Sequence, residues 1–145
     1  MSSPEVRDGA TREAEISVLV TGAGGPAAIG VLKSLRADPS VGLLAADMDC
    51  WAAGLYLVPP AARTVIPAGL APEFCELLLA RCLELGADVV IPTVDAELRP
   101  LAAARRTFEQ AGVRLMLASA SALDLTLDKL ALARACAGVD RKSVV

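Results

Sequence analysis

Short apolar runs alternate along the chain with stretches whose apolar residues recur every three or four positions, and glycine or proline stands between them. The first run is Ile16-Ser17-Val18-Leu19-Val20. A run this short and this rich in β-branched residues predicts a strand buried within a parallel sheet. It ends in Thr21-Gly22-Ala23-Gly24-Gly25-Pro26, after which Ile29, Leu32 and Leu35 fall at helical spacing. Val41-Gly42-Leu43-Leu44-Ala45-Ala46 predicts the second strand, and Asp49 to Pro60 a short helical turn and a loop stopped by the double proline. Thr64-Val65-Ile66, closed by Pro67, predicts the third strand. Pro72 then opens a helix with Glu73 and Glu76 in its first turn, where acids suit the helix dipole. Phe74, Leu77, Leu78, Cys82 and Leu85 form its expected buried stripe, and Gly86 stands just past its end.

The fourth strand is expected at Asp88-Val89-Val90-Ile91-Pro92. Proline is tolerated near a helix start but not deep inside, so the next helix is expected to begin close to Pro100 and run to about Gln110. Val113-Arg114-Leu115-Met116-Leu117 predicts a fifth strand. Ser119 and Ser121 suit the cap of a short helix near Leu123, and Thr126 the cap of another from Leu127 to Cys136, ended by Gly138. Strands alternating with helices predict a parallel five-stranded sheet covered on both faces, with right-handed crossovers and a strand order of 3-2-1-4-5. Ligands of such sheets gather at the carboxyl ends of the strands, where the strand order reverses. That edge carries the glycine loop, Asp47, Asp49, Thr93, Asp95 and Glu97.

The chain of 145 residues is long enough for one domain with a real core. Its hydrophobic content of 54% owes much to alanine and little to aromatics, which suits helices packed closely on a sheet. A net charge of −3 argues against nucleic acid or an anionic membrane as partner, since both call for a basic patch. Arg105-Arg106 reads as a solvated helix face, and no apolar run reaches membrane-spanning length. Residues 1–14 lack the apolar segment of a signal peptide and are expected to form a disordered leader. The absence of histidine removes Ser-His-Asp and Cys-His mechanisms. Cys50, Cys75, Cys82 and Cys136 have no C-x-x-C spacing, so zinc and redox readings are poor. Cys75 and Cys82 read as small buried hydrophobes, and a reduced, cytoplasmic compartment is expected.

The glycine loop carries the most chemistry. Glycines let the backbone approach a ligand, and the amides of the following helix start favour an anion, phosphate or carboxylate, between residues 22 and 30. Gly22, Gly24 and Ala27 fit G-x-G-x-x-A, a permitted form of the dinucleotide fingerprint, and Asp47 or Asp49 stands where its acid is expected. A tight strand-to-helix turn that binds nothing meets the same pattern.

The order of Val18-Leu19-Val20-Thr21-Gly22-Ala23-Gly24-Gly25, Asp47-Met48-Asp49, Gly54-Leu55, Ile91-Pro92-Thr93-Val94-Asp95-Ala96-Glu97-Leu98 and Asp128-Lys129-Leu130 resembles the ATP-grasp superfamily. The likeness is to its Rossmann-like N-terminal pre-ATP-grasp domain, in the branch similar to carbamoyl phosphate synthetase large subunits and carboxylate–amine ligases, over roughly residues 16–138. The resemblance implies an enzyme that activates a carboxylate with Mg-ATP as an acyl phosphate and joins it to an amine or similar nucleophile. It implies a substrate pocket lined by Gly22, Gly24 and Gly25, with Asp47, Asp95 and Glu97 near it, and a phosphate contact for Lys129. Lysine supplies the compact point charge such a contact needs. The alternatives are a solvated Lys129, Asp95 as a helix cap and Glu97 as a surface residue. The ATP-grasp fold proper, with its second lysine and acidic metal ligands, would follow Lys129. Residues 15–125 are therefore expected to be the pre-ATP-grasp domain, and 126–145 the start of an ATP-grasp domain that the chain lacks. The expected partners are a small carboxylate and that domain, with ATP and Mg2+ serving the whole enzyme. On this reading the chain alone holds no cofactor tightly and has no ligase activity. Val58-Pro59-Pro60 replaces the polar turn of the family, so that loop is not carried over.

Two other readings compete. Thr21 to Ala28 also resembles the T-G-x-x-G-x-x-G of extended short-chain dehydrogenases, which would make the chain an NAD(P)-binding module with Asp47 on the ribose. Their Tyr-x-x-x-Lys pair is absent, because Pro60 stands four residues after Tyr56, the only tyrosine. The third reading is a non-catalytic domain that forms a homodimer or docks on a catalytic chain.

Overall fold

The computed structural model describes residues 14–137. Gly138 and nearly all of the expected leader lie outside the described residues. Five parallel strands, β1 (Ile16–Val20), β2 (Val41–Asp47), β3 (Arg63–Val65), β4 (Val89–Ile91) and β5 (Arg114–Leu115), form one sheet in the order β3-β2-β1-β4-β5. This is the expected order. The register pairs Val18 with Leu43 and with Val89, so β1 is flanked on both sides along its length.

Alternation of side chains along β1 divides the core. Val18 and Val20 pack with Ala28 and Leu32 of helix α1 (Pro26–Leu35) and with Ala52, Leu55 and Val58 of the β2–β3 connection. Leu19 points to the other face, where Phe74, Leu78 and Cys82 of α2 (Phe74–Leu85) meet Leu101 and Phe108 of α3 (Asp95–Gln110). Three layers result, helix–sheet–helix. Alanines at 23, 28, 45 and 46 are fully buried and let the layers approach closely. Burial pushes the Cys82 thiol up to about 12, so it acts as a small hydrophobe. All four cysteines are free thiols.

The structure corrects several expectations. α3 starts at Asp95 rather than near Pro100. Pro100 lies in the second turn and removes the bond its N–H would give to Ala96. The first turn carries two acids, Asp95 and Glu97, that suit the dipole, and the helix tolerates the loss. Thr126 is not a cap: it lies inside α4 (Ala120–Leu127) and its hydroxyl donates to the Ala122 carbonyl. Asp128 caps α5 (Lys129–Cys136), accepting from the amides of Leu130 and Ala131 at 2.9 and 3.0 Å. β3 begins at Arg63 and ends before Ile66, and α2 begins at Phe74, after Pro72. Leu77 is 41% exposed and leaves the buried stripe of α2, whereas Gly86 does close that helix with φ +67°. Residues 53–57 and 60–62 form two short 3-10 helices in the β2–β3 connection.

Arg105 corrects the reading of Arg105-Arg106 as a solvated face. Its guanidinium donates to the carbonyls of Leu115, Leu117 and Ala118, at 3.3, 2.7 and 2.8 Å, and pins the segment after β5 to α3. Substituting Arg105→Ala removes three charge-assisted hydrogen bonds, although the Leu115 carbonyl keeps the Leu117 amide, and is expected to cost about 1–3 kcal/mol. Arg106→Ala, on the exposed side, should stay within about 0.5 kcal/mol of wild type in urea unfolding. Equal effects of the two substitutions would contradict this clamp.

Candidate functional site: a cleft at the carboxyl edge of the sheet

β1, β2 and β4 end side by side, and the loops that leave them enclose a cleft of about 560 Å³. The glycine loop and the start of α1 form one wall. Asp47, Met48 and Asp49 form a second, and Thr93, Val94 and Glu97 the third, with Pro67-Ala68-Gly69 closing over it.

The turn out of β1 depends on Gly22, whose φ is +64°. A side chain here would also collide with Val94 and Thr93. Gly54 is also closed to a side chain, because its amide donates to the Ala23 carbonyl at 3.0 Å and an added Cβ would collide with that carbonyl. The loop amides do not point freely into the cleft. Ala23 N–H donates to the Ala46 carbonyl, Gly25 N–H to the Gly22 carbonyl, and Gly24 N–H to Asp47 Oδ2 at 2.7 Å. Asp47 Oδ1 accepts from the Asp49 amide at 2.9 Å. The open donor is therefore the Ala27 amide in the first turn of α1, because no side chain caps this helix, Ala28 is fully buried and Ile29 makes the first helical bond, to Gly25.

Glu97 is 4% exposed. The buried Thr21 hydroxyl donates to its Oε2. The Thr21 carbonyl in turn accepts from the Thr93 hydroxyl at 2.8 Å, which joins the ends of β1 and β4. Burial raises the Glu97 pKa, the Thr21 hydrogen bond opposes the rise, and the nearby Asp47 charge adds to it. Three carboxylates, Asp47, Asp49 and Glu97, line the cleft, with no lysine or arginine among its lining residues.

Gly22, Gly24, Gly25, Asp47 and Glu97 thus come together in one cleft. Asp95 does not join them. It is the first residue of α3 and exposed; two residues along a helix turn the side chain by about 200°, which sends Glu97 inward and Asp95 outward. Lys129 also lies outside this lining, exposed on the first turn of α5. Both Asp47 and Asp49 face the cleft, Asp47 buried and Asp49 exposed. Two contributions escaped the sequence reading. The Pro67-Ala68-Gly69 loop at the carboxyl end of β3 could have been placed by the same strand-end rule. The Thr21–Glu97 bond spans 76 residues and leaves no local signal.

Comparison with known proteins bears on this geometry. The family described as PylC-like, N-terminal domain matches residues 18–116. No curated protein matches the sequence. A crystal structure of dTDP-glucose 4,6-dehydratase from Bacillus anthracis, in complex with NAD, is similar with a TM-score of 0.50 and 14% sequence identity. That likeness covers 69% of this chain and 36% of the dehydratase chain, and it shows the fold alone. Among the described residues no helix is long and apolar enough to cross a membrane.

Two predictions follow from the site's geometry. Gly22→Ala should lose about 1–2 kcal/mol from the left-handed backbone alone, and more from the collision with Val94, measured by urea unfolding. Glu97 binds its proton more tightly folded than unfolded, so its ionisation destabilises the fold as pH rises above the ordinary value of 4.5. Glu97→Gln keeps an acceptor for Thr21 and removes the charge. It should be more stable than wild type at pH 7, with the gap closing as pH falls towards 4.5; a gap independent of pH would contradict the assignment.

Proposed function

This chain belongs to the family of PylC-like N-terminal domains, and on that basis we propose that its cleft holds the small-molecule substrate of an ATP-grasp ligase. The substrate is a carboxylate that also carries an amine. The observation that carries this reading is the lining of the cleft: one uncapped helix start, at α1, faces three carboxylates. A helix start favours one anionic group, so the substrate carboxylate lies against the first turn of α1, at the Ala27 amide. An ammonium group is then the complement of Asp47, Asp49 and Glu97. Asp47 and Glu97, already fixed by Gly24 and Thr21, need not reorganise to receive it.

The same lining opposes the dehydrogenase-type reading. A pyrophosphate would bring two negative charges beside three carboxylates with no lining lysine or arginine to offset them.

ATP and magnesium fit the described residues poorly. Lys129 stands apart from the cleft, and among the described residues no group of three or more Asp, Glu, Cys or His side chains could hold a metal ion. Nucleotide and metal belong, in this proposal, to the ATP-grasp fold of the enzyme, which supplies the phosphoryl transfer. The residues of this domain bind, orient and shield the substrate. Met48, which lines the cleft, Leu70 beside its lid loop and Trp51 are 67%, 77% and 78% exposed, an apolar surface suited to a covering domain.

Amide-resolved NMR titration of the chain with NADH, and separately with Mg-ATP, tests the assignment. The proposal expects no saturable response to NADH at Gly22 to Gly25 or Asp47, and none to Mg-ATP in the cleft. Saturable NADH shifts centred on those residues would overturn it in favour of the nicotinamide module.

A further inference from the structure

The same connection that walls the acidic cleft has a second cavity on its other side, of about 550 Å³, lined by Cys50, Leu55, Tyr56, Pro60, Arg63, Thr64, Val65 and Arg81. Its charge is opposite. Two arginines line it and no carboxylate does, in a chain of net charge −3. Arg63 is half-buried at the start of the edge strand β3. Its guanidinium lies over the Tyr56 ring, 4.5 Å from the centroid, and the Tyr56 hydroxyl donates to the Cys50 carbonyl at 3.3 Å. Stacking fixes the plane of the guanidinium but satisfies none of its N–H donors. Among the described residues the Arg63 guanidinium makes no hydrogen bond and pairs with no carboxylate. Arg81, across the cavity, keeps one contact, to Glu84 one turn along α2.

We propose that this second cavity is an oxyanion site, in which the stacked Arg63 and Arg81 bind a phosphate or carboxylate group. A fixed guanidinium fork with unused donors matches the two oxygens of either group, and the stacking removes part of the ordering entropy that binding would cost. The inference does not depend on the substrate proposed for the cleft. It adds a consequence for it, because the stretch from Asp49 to Tyr56 is common to both: Asp49 faces the cleft, and Cys50 and Tyr56 face the second cavity.

The test is an amide-resolved NMR titration of the full 145-residue chain with inorganic phosphate and, separately, with sodium acetate, at constant ionic strength in chloride. Saturable shifts at Tyr56, Arg63 and Thr64 are expected. Phosphate saturating well below acetate identifies a phosphate site, acetate saturating below phosphate identifies a carboxylate site, and equal saturation identifies an oxyanion site that takes either; all three support the site. Arg63→Gln should weaken binding about tenfold, the change for one lost charge-assisted hydrogen bond. If Arg63→Gln disturbs the spectrum of the whole domain, Arg81→Gln on the open face of α2 serves in its place. Shifts that grow linearly without saturating, shifts centred on Gly22 to Gly25 instead, or saturable binding that neither substitution changes would overturn the proposal.

Discussion

A buried carboxylate must be hydrogen-bonded, and in this domain that requirement shapes the cleft. Asp47 and Glu97 are the buried acids, and each takes its partner from the loop that leaves β1. Asp47 draws the Gly24 amide towards the end of β2. Thr21 sends its hydroxyl to Glu97 on α3 and receives the Thr93 hydroxyl on its carbonyl. The ends of β1, β2 and β4 are thereby locked together across sequence separations of 23 to 76 residues. The left-handed turn at Gly22 and the close approach of Gly54 each require glycine, and these bonds fix the path between them.

The same bonds alter what a glycine loop of this kind offers. In a dinucleotide site the loop presents amides to a pyrophosphate. Here three of the loop amides are turned to protein acceptors, and one of those acceptors is a carboxylate. The positive element left is the start of α1, and the rest of the wall is acidic. The fold alone is shared with a dehydratase structure determined with NAD. The side chains that fill its carboxyl edge, rather than the fold, decide which ligand is complementary.

The sheet was legible because its signals are local. Ile16–Val20 and Val41–Asp47 are β-branched or aliphatic runs bounded by glycine and acid, and strand order follows from the alternation with helices. Boundaries set by competing local signals were not. Pro100 read as a helix start, yet the acids at 95 and 97 carry the helix a turn further back. Thr126 and Asp128 are both good caps, and the carboxylate two residues on prevails by accepting two amides. Glu97 is marked in the sequence by its place at a strand end and by the family resemblance; its burial goes with Thr21, a partner 76 residues away. Arg105 and Arg63 were invisible for the same reason. One finds its carbonyls across the β5 connection and the other its aromatic ring across the β2–β3 connection, and neither spacing is periodic.

The central claim is that the cleft selects for a carboxylate and an amine on one molecule. The most direct measurement is a panel of matched carboxylates, with and without an amino group, titrated into the labelled chain and read at Ala27 and Asp49. The account predicts saturable shifts at both residues for aminocarboxylates, and markedly weaker binding when the amine is replaced by hydrogen. Equal binding of both sets, or shifts that spare these residues, would contradict it.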